Sequence, residues 1–335
     1  MSYKVLIVGS GQTAEALSKK IDAEIFVSSK EDIRDDDVTG LLKFVLEKNI
    51  DLTIPISEKA LKSDIVSFFQ VNGQNIFGPQ KQACNFMFNK ITQKKFLYKL
   101  HAQTPKFGAF NKLQILQDYL KNSDFPIIIY NSDSPIERLV CPTIKTAQNY
   151  IDDLCYRGVN EFLVEEYVYG NSFTIYYITD GCCVLPITSV HNYKKEQNYT
   201  NIGCFVPNFR ISQVIFERVG NIVKNIFSSI DNNNLSYLGI IGIEGVVAGE
   251  DTFYVNNIVP FFSDCDAEAV LNLVDDDLLK IFNSCVNGSF SDEYTLINTN
   301  NLSSISEYKN GRFYTQTAAT LTRARMLLNE DFYYL

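Results

Sequence analysis

The chain has 335 residues, 46% of them apolar and 21% charged, with a net charge of -9 and a pI near 4.9. That is the composition of a globular protein with room for roughly two or three modest domains. The acidity argues against a nucleic-acid polyanion as main partner, and no apolar run approaches the ~20 residues of a membrane span.

Residues 3–10 (YKVLIVGS) form a continuous apolar run, as a buried parallel strand does, and read as a first strand rather than a signal peptide. Gly9 and Gly11 make the tight turn after it, and residues 13–21 continue as a helix with Ala14, Ala16, Leu17 and Ile21 inward. GSGQTA lacks the third glycine of GxGxxG, so this βα unit alone is weak evidence for a nucleotide. Residues 24–27 are a second strand, 35–48 a helix led by three aspartates, and 51–54 a third buried strand. The third strand ends in PISEKALKSD. Strand ends are where doubly wound sheets bind ligands, so Glu58 is a candidate ribose or amine contact; a helix-capping carboxylate is the alternative. NIFGP at 75–79 closes this part.

Residues 80–100 read as a helical stretch rich in lysine, including Lys90 and Lys94. A helix over 113–120, a buried strand over 125–130 (FPIIIY) and a helix over 143–154 follow. Then comes FLVEEYVYGNSFTIYYITDG: an apolar run, the carboxylates Glu165 and Glu166, Tyr167, Val168, a Gly170 breaker, and a β-branched and aromatic second strand. Strand, acidic hinge and strand make a plausible wall for a planar base, with amides for its edge and a carboxylate for a ribose hydroxyl. The alternative is a hairpin with a solvated acidic turn. Residues 183–189 form a strand, and the polar stretch after it, with His191, reads as a loop. A long amphipathic helix spans 211–230, and strands at 238–247 and 252–259 are joined by a GED turn. Carboxylates on two such adjacent strands can bridge metal ions. A helix over 275–284, a polar connector over 292–302, and a strand and helix over 311–318 and 321–328 complete the chain. The eight cysteines show no CxxC spacing and only His101 and His191 accompany them, so free thiols in a reducing cytosol are expected, and with them a cytoplasmic location.

The EE-aromatic-aliphatic-x-G hinge, downstream of a Gly-rich βα start and the IFGP turn, resembles the ATP-grasp enzymes, and within them the glycinamide ribonucleotide synthetase (phosphoribosylamine–glycine ligase) branch. The resemblance runs in order from Tyr3 to about Asp264 and implies an α/β and α+β architecture: an ATP-grasp fold with an N-terminal Rossmann-like (pre-ATP-grasp) domain. The implied domains are 1–79, 80–290 with a small lid subdomain at about 106–165, and 291–335 as a remnant of the C-terminal domain.

The resemblance implies roles residue by residue. Lys90 falls at the lysine that reaches the ATP phosphates, with Glu165, Glu166, Tyr167 and Val168 at the base and ribose. Gly9, Gly11 and Glu58 fall near the phosphoribosyl substrate, although Gln12, Thr13, Ala14 and Glu15 replace the family's GREH. Tyr130 stands at the strand lysine of PxVIKADG. The glycine lid aligns with Ile136, Glu137 and Arg138, where Arg138 supplies one charge. Lys194 or Lys195 survives from the polar loop after the 183–189 strand. The metal pair falls on Glu244 and Asn257 by a "GVE…NE" pattern; by the branch's own EFN…RFGDPE, Asn257 stands for its Glu, Val259 for its Asn, Phe261 for its Arg, and Asp264 matches. The implied activity joins glycine to phosphoribosylamine at the expense of ATP, with Mg²⁺ or Mn²⁺, in a monomer or homodimer with no nucleic-acid or membrane partner. Charged residues are exchanged at several of these positions, so the alternative is a catalytically weak or inactive pseudoenzyme that binds a nucleotide or a partner.

Overall fold

The computed structural model describes residues 2–132, 137–195, 200–233, 235–291, 294 and 302–333. Its strands form three sheets. The first is small and parallel: β1 (Lys4–Val8) lies between β2 (Glu24–Val27) and β3 (Leu52–Pro55). The helices α1 (Gly11–Lys20) and α2 (Val38–Lys48) follow its first two strands, and the short α3 (Glu58–Lys62) and α4 (Ile65–Val71) follow the third. Val5 to Val8 are wholly buried, because the strand is covered on both faces. α2 starts later than the aspartate run suggests: Asp37 is its N-cap and accepts from the Gly40 amide at 2.9 Å.

The 80–100 stretch is not one helix. α5 (Lys81–Cys84) runs into a 3₁₀ turn (Asn85–Phe88), and α6 (Lys90–Lys99) starts afresh. Asn89 decides the break: its backbone is extended and its Oδ1 accepts from the Thr92 amide at 2.9 Å. The second sheet has the order β4 (Phe107–Phe110), β7, β5 (Ile127–Asn131), β6 (Arg138–Cys141), all antiparallel, with β7 at Phe162–Glu166. One face packs on α7 (Leu113–Lys121) and α8 (Ile144–Tyr156) through Ile127, Ile129, Phe162 and Val164. The alternate residues Ile128, Tyr130 and Leu163 face the other way and pack with Ile91 of α6. The aligned lid position Ile136 lies outside the described residues.

The large sheet is antiparallel, in the order β12-β11-β8-β9-β10-β13-β14. It contains β8 (Asn171–Thr179), β9 (Val184–Lys194) and β10 (Asn201–Val206), then, after α9 (Gln213–Asp231), β11 (Gly239–Val247) and β12 (Phe253–Val259). α10 (Ala267–Leu271) and α11 (Leu278–Val286) precede β13 (Ser303–Lys309) and β14 (Arg312–Ala318), and α12 (Leu321–Tyr333) follows them. On β8, Phe173, Ile175 and Tyr177 share a core with α9, while Tyr176 and Ile178 join α10 and α11 in another. The sheet is thus buried on both faces.

Three further sequence readings need correcting. β7 and β8 belong to different sheets, so the hinge is not a hairpin but the crossing between them. Any side chain at Gly170 is excluded there, since its Cβ would stand 2.1 Å from the Val247 carbonyl oxygen. The polar stretch at 190–203 is not a loop: β9 continues through His191 to Lys194 and pairs with β10, and residues 196–199 between them lie outside the described residues. His191 is carried into the strand by its neighbours and stacks on Phe205 at 4.6 Å. Finally, β13 falls in a stretch left without an element, and with β14 it extends the large sheet at β10. Most of the expected 292–302 connector lies outside the described residues.

Candidate active-site cleft

α6 runs between the second sheet and the large sheet, and its inward side chains tie the two together. Lys90, Gln93 and Lys94 are wholly buried, with Leu97 one turn on, the i, i+3, i+4, i+7 face of a helix. β12 is an edge strand, so its outer carbonyls lack a neighbouring strand. α6 supplies the donors. Lys94 Nζ donates to Val255 O at 3.2 Å, Lys90 Nζ to Asn256 O at 2.6 Å, and Gln93 Nε2 to Ile258 O at 2.8 Å. Lys94 also forms an ion pair with Glu165 at 2.8 Å, both side chains wholly enclosed. Burial by itself would raise the Glu165 carboxyl. The charges of Lys94 and Lys90, with hydrogen bonds from Lys94 and Tyr130, outweigh it and hold the group below the ordinary carboxylate range. Burial pushes Lys90 well below the usual lysine range, with Glu165 pulling it back.

Tyr130 lies directly beneath this layer. Its ring centroid is 4.4 Å from Lys90 Nζ and 5.8 Å from the Arg138 guanidinium carbon, and Tyr130 and Arg138 are paired across β5 and β6. On the large sheet Glu244 and Asn257 are direct partners of β11 and β12, next to a bulge after Glu244. Asn257 Nδ2 donates to Glu244 at 2.9 Å, and Asn257 Oδ1 accepts from Lys90 Nζ. Burial alone would raise the Glu244 carboxyl, but Lys194, Arg138, Asn257 and Lys90 together lower it. Lys194, half-buried at the end of β9, is depressed by burial and partly restored by Glu244. Lys90, Arg138, Lys194, Glu244 and Asn257 therefore form one electrostatic cluster where the two sheets meet.

A cavity of about 580 Å³ opens beside the cluster. Arg138, Glu244 and Asn257 line it from one side; Ser10, Thr13, Glu58 and Asp264 line it from the other. Lys90 lies one layer behind Asn257. The Gly9–Gly11 and Ser57–Glu58 turns follow neighbouring parallel strands, which places both at one edge of the cavity. Gly11 has φ +83°, and its Cβ would stand 2.7 Å from Asp264 Oδ2. Asp264 reaches that close because its Oδ1 accepts from both the amide and the hydroxyl of Thr13 at 2.8 Å. Glu58 sits in the first turn of α3 and pairs with Lys62, while Ser57 is the cap. Its position thus suits both a helix end and a cavity wall. Glu166 accepts from the Lys106 amide at 3.0 Å, and Tyr167 packs with Tyr169 at the crossing. The described residues also bring Cys204, Cys265 and Asp266 together. Both oxygens of Asp266 are taken, by Tyr176 at 2.8 Å and Asn192 at 2.7 Å, and burial raises both thiols, so this cluster is a packed polar core rather than a metal centre.

The family model described as "Phosphoribosylglycinamide synthetase, ATP-grasp (A) domain" matches residues 88–267, and the N-domain model of the same synthetase matches 3–86. The chain belongs to the phosphoribosylglycinamide synthetase family. The phosphoribosylamine–glycine ligase of Fusobacterium nucleatum is 28% identical over 313 residues, covering 85% of this chain and 73% of that protein. The ligase of Clostridium acetobutylicum is 24% identical over 318 residues, covering 86% and 76%. Among solved structures, the Thermotoga maritima phosphoribosylamine–glycine ligase has a TM-score of 0.77 at 15% identity, covering 98% of this chain and 95% of that one. The N5-carboxyaminoimidazole synthase of Aspergillus clavatus, solved with ADP and an aminoimidazole ribonucleotide, has a TM-score of 0.73 at 13% identity, covering 97% and 96%. The ATP-grasp fold and its N-terminal parallel sheet are thereby shown.

Against the family pattern, the structure gives the exchanged residues definite places. Tyr130 is packed in the interior as an aromatic floor under Lys90. Asn257 has its oxygen on an ammonium and its nitrogen on a carboxylate, so as a donor set for a divalent ion the Glu244–Asn257 pair does not fit. Sequence reasoning missed the structural role of Lys94 and Gln93. The i+3 and i+4 spacing from Lys90 was the available signal. It also missed the Tyr176–Asp266–Asn192 linkage, whose members are far apart in sequence and carry no motif.

Proposed function

We propose that this chain is an ATP-grasp carboxylate–amine ligase-type protein whose cleft binds a nucleoside polyphosphate, ATP by family, and whose turnover of the family substrates is weak. The observation that carries this reading is the cavity of about 580 Å³ lined by Arg138, Glu244 and Asn257, with Lys90 bonded to Asn257 behind it and Lys194 also acting on Glu244, an arrangement of cations suited to a polyanion. In this reading Arg138 and Lys194 meet the phosphates, with Lys90 behind them. The base lies at Glu166, Tyr167 and Val168, where the chain crosses between sheets, and Glu165 holds that crossing through Lys94. When bound, ATP supplies the phosphoryl group that activates a carboxylate for an amine. Glycine and phosphoribosylamine, by family, are assigned to the cavity edge at Gly9, Gly11 and Glu58.

Titration calorimetry with ADP tests the reading. Binding is expected, and Arg138→Ala should weaken it about tenfold or more through loss of a charge-assisted contact. A protein that binds no ADP, or binds it equally well as Arg138→Ala, overturns the assignment. The second reading, a non-catalytic binding module, is favoured by Tyr130 and Asn257, which remove a cation and an anion from the positions that phosphoryl transfer uses.

A further inference from the structure

The inference rests on the nucleotide reading above and concerns its charge balance. We propose that the Lys90 ammonium stands in for a divalent cation at the Glu244–Asn257 pair, so that this cleft holds its polyanionic ligand without a metal ion. A small divalent cation takes about six oxygen ligands; waters and phosphates supply most of them, and one or two protein carboxylates free to face the ion supply the rest. Asn257 offers one carbonyl oxygen, and that oxygen accepts from Lys90. The carboxamide cannot turn to release it. A flip would set Nδ2 against the ammonium and Oδ1 against Glu244, which now receives Nδ2 at 2.9 Å. Nor is Lys90 loosely placed: its side chain is wholly buried, it also donates to Asn256 O at 2.6 Å, and it rests on the Tyr130 ring.

Further ligands are few. Val259 and Phe261 carry no donor atom, both oxygens of Asp266 are engaged, and Asp264 is turned to Thr13, whose amide and hydroxyl both donate to its Oδ1. That leaves Glu244, the carboxylate bonded to Asn257, on which Lys194, Arg138 and Lys90 already act. A dication brought to it meets three cations. The same three supply the positive charge that a metal otherwise brings to a polyphosphate. Burial, Lys94 and Arg138 press Lys90 to give up its proton, while Glu165, Glu244 and a bound polyanion favour the ammonium; held by N–H bonds to Asn256 O and Asn257 Oδ1, it is a fixed cationic group where an ion would have to be recruited.

Two measurements test this. Mn²⁺ alone is titrated into the protein and followed by electron paramagnetic resonance. Wild type and Glu244→Gln should give the same isotherm, and Lys90→Met/Asn257→Glu should gain one site at least tenfold tighter. ADP affinity, measured with Mg²⁺ and with EDTA, should agree within twofold. A wild-type Mn²⁺ site that Glu244→Gln removes, or an ADP affinity that falls more than tenfold in EDTA, overturns the proposal. So does a folded double variant that gains no site. If the double variant does not fold, the wild-type against Glu244→Gln comparison decides. If ADP fails to bind under either condition, the nucleotide reading falls, and the Mn²⁺ arm still decides this one.

Discussion

Lys94 and Glu165 are enclosed together, so each is tolerable only because of the other. Lys94→Met leaves a carboxylate buried without its cation, and the expected loss is about 3–5 kcal/mol of stability by denaturant melting. Lys94→Met/Glu165→Leu should recover most of that loss, because an ion pair replaced on both sides leaves no orphan charge. A single variant within about 1 kcal/mol of wild type would show that water reaches the pair. His191 makes a second prediction. Burial first, and Arg210 second, push its imidazole down to about 4, and its Nδ1 has no hydrogen-bond partner among the described residues. Between pH 6.5 and 4 the unfolded chain therefore binds a proton that the folded one refuses, so stability falls as the pH drops through that window. The contribution is on the order of 2–3 kcal/mol. His191→Phe should flatten that part of the stability–pH curve. An unchanged slope would assign it to other groups.

At the scale of elements, the crossing between β7 and β8 links the second sheet to the large one. Periodicity alone gave two strands flanking a carboxylate pair, which suits a hairpin and a crossing equally well. Gly170 separates the two outcomes only in three dimensions, where its Cα abuts the edge of β11. Gly170→Ala forces the strand end away from Val247, at an expected cost of about 1–3 kcal/mol from overpacking. It should appear as a lower denaturation midpoint at unchanged slope. A midpoint equal to wild type would mean that the crossing shifts freely. α6 shows the same limit. Its lysines look like a solvated face until an edge strand with spare carbonyls is placed against them.

For the whole molecule, the prediction concerns turnover. Phosphoryl transfer depends on positioning and charge neutralisation. By the motif resemblance Tyr130 stands at a lysine position and Asn257 at a glutamate position, and each such exchange removes a charge from the cleft. Each loss is expected to cost on the order of 10²–10³ in rate. ADP release with glycine and phosphoribosylamine should then fall far below ordinary enzymatic rates, with Mg²⁺ or with Mn²⁺. A rate of about 1 s⁻¹ or more would show that Arg138, Lys194 or Asp264 makes good the lost charges.

β4, β6, β10 and β13 had no counterpart in the sequence reading, but the parallel N-terminal sheet, most of the helices and the family were legible. They rest on local features: continuous apolar runs, turn glycines, capping residues and motifs a few residues long. β13 was missed because its residues, SSISEYK, are mostly polar on one side and gain strand character only from pairing with β10 and β14. The cleft was legible as a set of residue types but not as a circuit. That Lys90 faces Asn257, Lys94 faces Glu165 and Asp264 caps the turn at Thr13 depends on contacts between residues 71 to 251 positions apart. Only tertiary packing sets which charge lies against which. In a low-dielectric interior, that pairing decides whether a charge holds the fold or remains for a ligand.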